Sequence, residues 1–412
     1  MSQRVVVTGM AGISPLGCDW ETVEKKLHSY TNATQRMHDW SGIEHLHCLA
    51  FAPAADFELP KETYNRKTMR SMSRVSVMAC RTAELALRDA GLYEEDWIHH
   101  GEMGVSYGSC AGSSDALVEI ASLHHDHSTR ALNATSYVRF MSHTAPVNIS
   151  VFHRITGRVI TTSSACTSSS QGIGYAYEAI KHGYQRAMIA GGSEEANPAH
   201  TAIFDTLFAT STGYNQNTQS TPRPFDAKRD GLILGEGAGA LILESLESAL
   251  ERGAPIYAEV VGFATNCDGK HITNPDSERM AAVMRMALND AGIKPEDIGY
   301  INAHGTATLQ GDRAETQAVA AVFGDSTPIS SLKSYMGHTL GACGALEAWM
   351  TIEMMNHDWF APTINLEEPD PECGKLAYIT REGLEKHCDY VMSNNFAFGG
   401  INTSLIFKRW RG

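Results

Sequence analysis

Residues 85–97 read LALRDAGLYEEDW, and residues 286–298 read MALNDAGIKPEDI. Across an offset of 201 positions, Ala86/Ala287, Leu87/Leu288, Asp89/Asp290, Ala90/Ala291, Gly91/Gly292, Glu95/Glu296 and Asp96/Asp297 match in step. Each copy predicts a helix closed by glycine, the residue that enters left-handed backbone space without steric cost. A strand pattern follows each: MGVSYGS at 103–109 and IGYINAHGT at 298–306. The period is far too long for a solenoid repeat. It predicts two copies of one α/β unit in a single chain.

The segments around the echo support this. RVVVTGMA (4–11), RVITTSSA (158–165), RAMIAGG (186–192), GALILES (239–245), YAEVVGFAT (257–265), PISSL (328–332) and TSLIFKRW (403–410) are apolar or β-branched runs bounded by turn residues. Helical patterns lie between several of them. That alternation predicts strands covered by helices on both faces. The halves are expected at residues 1–250 and 251–412, with a soft boundary near Leu250 to Gly253.

Composition narrows the class. The 412 residues are 43% hydrophobic and 19% charged, enough apolar side chain for a large core. No apolar run reaches the length of a membrane span. The opening MSQRVVVTGMAGISPLG turns to glycine and proline too early for a secretory leader, so a cytoplasmic enzyme is expected. A net charge of −14 argues against nucleic acid as a partner. The nine cysteines are odd in number and form no C-x-x-C pair, which predicts reduced thiols and no metal site.

One cysteine stands out. Cys166 lies between the strand candidate RVITTSSA and TSSSQGIGYAYEAIKHG, where Ile173, Ala176, Tyr177 and Ile180 make one apolar helical face. A thiol at a helix amino terminus meets unpaired N–H groups that favour the thiolate. The bland alternative is a buried structural cysteine, and neighbouring residues alone leave the two even. Two histidines tip the balance. His304 ends a strand, where ligands bind in open α/β sheets. His338 in PISSLKSYMGHTLGACGALEAWM stands close to a helix start, which disfavours imidazolium and predicts a neutral ring. The loop Phe396–Gly400 in SNNFAFGGINTSLIF offers backbone N–H groups to a developing oxyanion.

Other features carry bland readings. LHHDH (123–127) reads as a solvated loop. GEGAGA (235–240) reads as tight backbone between strands. Asp312 and Glu315 in GDRAE read as helix-start caps.

Taken together, ACTSSSQ (165–171), RPFDAKRDGLILGEGAGALIL (223–243), NAHGTAT-x-x-GD-x-x-E (302–315), LKSYMGHTLGACGALE (332–347) and NNFAFGGIN (394–402) resemble the elongating β-ketoacyl-acyl-carrier-protein synthases of the thiolase superfamily. The likeness runs end to end, and is greater to ketosynthases of aryl-polyene gene clusters than to the housekeeping fatty-acid enzyme. It implies an α/β thiolase fold, with duplicated βαβαβαββ halves in an α/β/α/β/α layered sandwich. It implies a Cys-His-His site: Cys166 takes the acyl chain, and His304 and His338 face the malonyl thioester carbonyl. Lys333 and Glu347 are implied to support the histidines. The N–H groups of Cys166 and Phe398 form the oxyanion hole, Phe398 is the gate, and Thr306 and Thr308 touch the pantetheine arm. No tightly bound cofactor is implied; the phosphopantetheine arm of an acyl carrier protein carries the substrate.

The chain departs from the family at three places. Ala397 replaces a common glycine in the gate loop. Ala111, in YGSCAGSS, replaces a bulky aliphatic and implies a roomier acyl pocket. Phe208 falls where some relatives place an arginine toward the carrier protein. An acidic carrier would need a basic patch, and NRKTMRSMSR offers Arg66, Lys67, Arg70 and Arg74 on an expected helix. A homodimer is implied by the resemblance. The rival readings are a non-catalytic, chain-length-determining partner subunit, a CoA-dependent thiolase or starter-type enzyme, and a cysteine hydrolase. The last is disfavoured because no carboxylate or amide orienter is identifiable in the sequence.

Overall fold

Eleven strands form one twisted, mixed sheet: β1 (Val5–Ile13), β2 (Met103–Gly108), β3 (Val159–Thr162), β4 (Ala187–Glu194), β5 (Gly237–Ser245), β6 (Ala258–Cys267), β7 (Ile298–Asn302), β8 (Pro328–Ser330), β9 (Ala377–Tyr378), β10 (Tyr390–Ala397) and β11 (Ile401–Arg409). They belong to a computed structural model that describes residues 2–412. The spatial order is β9-β8-β7-β10-β11-β6-β1-β5-β4-β2-β3. Leaving aside β9, a two-residue edge strand added to the second half, both halves run first, fifth, fourth, second, third from the central β6/β1 seam outward. The pairing directions repeat too: antiparallel for β1/β5 and β5/β4, parallel for β4/β2 and β2/β3. The second half copies them in β6/β11, β11/β10, β10/β7 and β7/β8.

The echo is the atomic signature of this duplication. It closes α1 (Arg74–Asp89) and a later helix, Ser277–Ala291. Asp89 Oδ2 accepts from Met10 N of β1 at 2.8 Å, and Asp290 Oδ2 accepts from Phe263 N of β6 at 3.1 Å. Both strands skip one residue of register just before, at Thr8 and at Val261. A bulge of one residue exchanges the faces of everything after it. Accordingly Val5, Val7 and then Met10 face the central core, as do Ala258, Val260 and then Phe263. The glycine after each bulge is required by contact. A Cβ on Gly9 would lie 2.4 Å from the Ala86 carbonyl oxygen, and one on Gly262 would lie 2.6 Å from that of Ala287.

Further helices include α2 (Ser114–Asp126), α3 (Thr144–His153), α4 (Ser168–Lys181), α5 (Pro198–Thr206), α6 (the Ser277–Ala291 helix), α7 (Leu309–Phe323) and α8 (Cys343–Asn356). Strand alternation sorts them into layers. On β5, Leu241 and Leu243 join the central core with Ile173, Tyr177, Leu346 and Trp349 of α4 and α8. Ala240 and Ile242 face out to Ala83, Ala86 and Leu87 of α1. On β11, Leu405 and Phe407 face the centre, and Ile406 meets Met284, Leu288 and Val319 of α6 and α7. The result is the expected α/β/α/β/α sandwich, with α4 and α8 back to back in the middle. Among the described residues no helix is long and apolar enough to cross a membrane, and all nine cysteines are free thiols.

Three local readings are corrected. LHHDH is the exposed carboxyl end of α2, with His127 as its left-handed cap, and not a loop. NRKTMRSMSR is a chain of turns up to Ser73; helix begins only at Arg74. Arg74 is already engaged, bonded through Nε and Nη2 to Glu236 at 2.5 and 2.7 Å. Asp312 and Glu315 do not cap α7. They reach back to the loop before it, as described next.

Candidate active site

Cys166 sits in a tight turn, Ala165–Thr167, that joins β3 to α4. Ala165 holds φ +52°, a costly conformation for a residue with a Cβ, so the turn must be fastened from outside. The run of small polar residues does this. Ser164 N donates to Ser168 Oγ (3.0 Å), Ser168 Oγ to Ala165 O (2.7 Å) and Thr167 Oγ1 to Ser164 O (2.8 Å). Ser169 Oγ accepts from Ala345 N of α8 at 3.0 Å, which ties the nucleophile's helix to its central neighbour.

The two histidines arrive from the other half. His304 follows β7, and its loop is braced by Glu315, whose carboxylate oxygens each lie 2.7 Å from the N–H donors of His304 and Gly305. Asp312 accepts from Ala307 N (3.1 Å) and Phe225 N (2.7 Å). His338 lies between β8 and α8. Its Nε2 is 3.0 Å from Cys166 Sγ, and its Nδ1 accepts from Leu340 N at 3.2 Å. The imidazole rings of His304 and His338 stand edge to face, with centroids 5.0 Å apart. The sulfur and one nitrogen of each ring all lie within 4.8 Å of one another.

Electrostatics fix the protonation states. Burial lowers both histidines well below their ordinary value, and the nearby Lys333 ammonium lowers them further. The rings are therefore neutral, as the sequence predicted for His338. The cause is different: burial and Lys333 dominate, while the helix start contributes the Leu340 N–H that occupies Nδ1. A ring whose Nδ1 accepts a hydrogen bond carries its hydrogen on Nε2. Such an Nε2 has no lone pair for a metal, so the cluster suits hydrogen-bond donation better than metal ligation.

Burial works against the Lys333 ammonium, but its ion pair with Glu347 outweighs that and raises its pKa. Burial pushes the Glu347 carboxyl up, against the pull of Lys333 and of the Asn395 amide, which donates to Glu347 Oε2 at 2.7 Å.

The state of Cys166 departs from expectation. Burial pushes the thiol up to about 11, despite Lys333 and the N–H groups of Phe398 and of Cys166 itself. The helix-start environment does not yield a resting thiolate. Those two N–H groups nevertheless converge on the sulfur, where an oxyanion formed on an acyl thioester would develop.

A cavity of about 370 Å³ opens onto these atoms. Thr306, Thr308, Phe398 and Asp268 line it, and the Thr306 and Thr308 hydroxyls are 2.9 Å apart. Its rim is apolar and exposed: Leu207, Phe208, Ile272 and Leu309, with Phe208 at 94% exposure. Ala111 does not line this cavity. It lies in the β2–α2 connection beside Cys110, whose N–H donates to buried Glu194 at 2.8 Å. Arg66, Lys67 and Arg70 are exposed but lie outside the cavity wall.

Sequence reading missed Asn395, Cys343 and Leu340. Cys343 Sγ donates to Cys166 O at 3.2 Å, and Asn395 Nδ2 stands 3.4 Å from His304 Nδ1. An amide does stand in the site, although none was identifiable in the sequence, and it lies beside His304 and not beside the ring next to the sulfur. The doublet Asn394-Asn395 inside a strand was the available signal, since asparagine is depleted there.

Comparison with known proteins agrees with this geometry. The family described as "Beta-ketoacyl synthase, N-terminal domain" matches residues 2–249, and "Beta-ketoacyl synthase, C-terminal domain" matches residues 257–367. The chain belongs to the β-ketoacyl synthase family. It is 35% identical to 3-oxoacyl-[acyl-carrier-protein] synthase 2 of Synechocystis sp., covering 99% of each chain. It is 35% identical to 3-oxoacyl-[acyl-carrier-protein] synthase 1 of Haemophilus influenzae, covering all of both chains. Among solved structures, a β-ketoacyl synthase from Burkholderia phymatum superposes with a TM-score of 0.98 at 53% identity, over 99% of this chain and 100% of that one. A type II polyketide ketosynthase solved with its acyl-carrier protein and bound to the hexaketide superposes with a TM-score of 0.88 at 28% identity, over the full length of both chains.

Proposed function

We propose that this chain is a β-ketoacyl-acyl-carrier-protein synthase that elongates an acyl chain by decarboxylative Claisen condensation with malonyl-carrier protein. The carrying observation is the convergence of one sulfur, two neutral imidazoles and two backbone N–H donors at the floor of one cavity. In the first step Cys166 sulfur attacks the acyl thioester carbonyl. The Cys166 and Phe398 N–H groups hold the oxyanion, and the pantetheine thiol leaves with the proton that Cys166 gave up. In the second step the malonyl thioester loses CO₂. Its carbonyl oxygen becomes an enolate oxygen, held by the His304 and His338 Nε2–H donors. The enolate carbon then attacks the acyl-Cys166 carbonyl, the C–S bond breaks with its electron pair on the Cys166 sulfur, which takes up a proton from solvent, and the product leaves on the carrier.

Lys333 is placed to keep both rings uncharged, and Glu347 balances its charge in the buried site. A carboxylate beside the thioester oxygen would oppose the negative charge developing there, whereas two neutral N–H donors stabilise it. A non-catalytic partner subunit has no use for a thiol against two neutral imidazoles, so the geometry favours the catalytic reading over that one.

The same reading divides the chain at residue 250 into a half bearing the nucleophile and a half bearing the histidines and gate. It makes the enzyme cytoplasmic. Thr306 and Thr308 contact the pantetheine arm, Phe398 gates the acyl pocket, and Arg66, Lys67 and Arg70 supply the basic approach for an acidic carrier protein. Two copies pair through the exposed edge of β3, where Val159 is 44% accessible. Ala111, near that edge, widens the acyl pocket for the rigid chains of aryl-polyene synthesis.

Intact-mass measurement against a panel of acyl-carrier thioesters is the test. The expected result is a single acyl adduct, absent in Cys166→Ala, that is released as β-ketoacyl product on adding malonyl-carrier protein. Condensation at the wild-type rate by Cys166→Ala would end this reading.

A further inference from the structure

We propose that the Asn395 side-chain amide is a positioning residue that holds His304 as the Nε2–H tautomer, the form that can donate to the malonyl enolate. Asn395 lies on β10 opposite Thr403 and is fully buried. Its Nδ2 is 2.7 Å from Glu347 Oε2, 3.4 Å from His304 Nδ1 and 3.6 Å from Cys343 Sγ. A carboxylate oxygen only accepts, so the amide must turn its nitrogen, and not its oxygen, toward this cluster. One amide hydrogen goes to Glu347. The other faces His304 Nδ1 and the Cys343 sulfur, whose own hydrogen is given to Cys166 O. His304 Nδ1 meets a donor, so it must be the acceptor, and the ring hydrogen lies on Nε2.

The other end of the amide shows what this orientation costs. Asn395 Oδ1 is buried without a hydrogen-bond partner. An unpaired buried carbonyl is unfavourable, and the two hydrogen bonds that the nitrogen end donates offset it.

The two histidines reach the same tautomer by different means. His338 Nδ1 takes a backbone N–H, from Leu340, which no substitution short of proline removes. His304 Nδ1 takes a side-chain N–H, which a single substitution removes. Lys333 is the other donor in the cluster, and its ammonium is bonded to Glu347. Without Asn395, the Lys333–Glu347 pair would keep His304 neutral, and nothing would select between its two neutral forms.

This inference rests on the enolate-holding role given to His304 above, and the test separates the two. Nitrogen-15 NMR of histidine-labelled wild-type enzyme should show His304 with its hydrogen on Nε2. In Asn395→Ala the His304 signals should move toward a mixture of tautomers, while those of His338 stay in place. Kinetically, Asn395→Ala should load Cys166 from an acyl-carrier thioester within about twofold of wild type. Its malonyl decarboxylation and its condensation kcat should fall about tenfold to a hundredfold, the range for losing a group that orients a catalytic imidazole. Asn395→Ser, which keeps a short donor, should lie between the two. A wild-type His304 protonated on Nδ1 would overturn the proposal while leaving the synthase reading intact. So would equal losses in loading and decarboxylation, which mark a merely structural residue. If His304→Ala itself decarboxylates normally, the enolate-holding role falls instead.

Discussion

The resting state of Cys166 gives the sharpest prediction, because helix-start reasoning and the folded environment point in opposite directions. With the thiol pushed up to about 11, the thiolate fraction at pH 7 is about 10⁻⁴. Alkylation of the free enzyme by iodoacetamide, read as mass added to Cys166, should therefore be slow at neutral pH. Its rate should climb about tenfold per pH unit, roughly a hundredfold from pH 7 to 9, without a plateau before the enzyme unfolds. The gap of about four units corresponds to about 5 kcal/mol favouring the neutral thiol. An ordinary thiol accounts for about half of it; burial, opposed by Lys333, supplies the rest. Lys333→Met removes the opposing charge, so alkylation at pH 8 should fall below the wild-type rate. A plateau near pH 7 to 8 would show a resting thiolate and refute the claim that burial dominates. Acyl transfer at neutral pH then requires that bound substrate complete the ionisation, with the Phe398, Cys166 and His338 donors acting on charge as it develops.

Five further outcomes are expected. His304→Ala and His338→Ala should each lower malonyl decarboxylation by about 10²–10³, the cost of one lost oxyanion donor, while His304→Ala still loads acyl groups on Cys166 by intact mass. Both rings titrate well below their ordinary value, so kcat should hold steady as pH drops through 6.5 and fall only when the rings finally protonate at lower pH. Gly9→Ala and Gly262→Ala should each destabilise the fold by about 1–3 kcal/mol, measured by urea denaturation, because the added methyl meets a helix carbonyl in both halves. Ala111→Ile should reduce turnover of long-chain primers relative to short ones; unchanged long-chain kinetics would remove Ala111 from the acyl pocket. Charge reversal at Lys67 and Arg70 should raise the carrier-protein KM in a salt-sensitive way, and no change at low salt would leave the apolar rim around Phe208 as the docking surface.

Much of the architecture was legible in one dimension. Strand and helix periodicities survive in local sequence, because each residue's face is set by its position along its own element. The echo at Leu85 and Met286 announced the duplication because the same contact, a carboxylate on a strand N–H beside a bulge, had to be made twice. The small-residue run around Cys166 announced a fastened turn, and the strand-end histidines announced a site.

What the chain order could not reveal were quantities that depend on groups far apart in sequence. The thiol's resting state is one: Cys166 stands at a helix start, but it is buried against Cys343 of α8 and Ala397 of β10, more than 170 residues away. The fate of Asp312 and Glu315 is another, since they brace a loop and not their own helix. Arg74 is read as a docking cation until Glu236 is found beside it. Asn395 is a third kind of case, a polar residue in a buried strand whose purpose appears only when His304, Glu347 and Cys343 are brought around it. Local pattern determines which elements form and which way they face. Desolvation and hydrogen-bond partnership act through space, so protonation and tautomer were decided only when the two halves closed on each other.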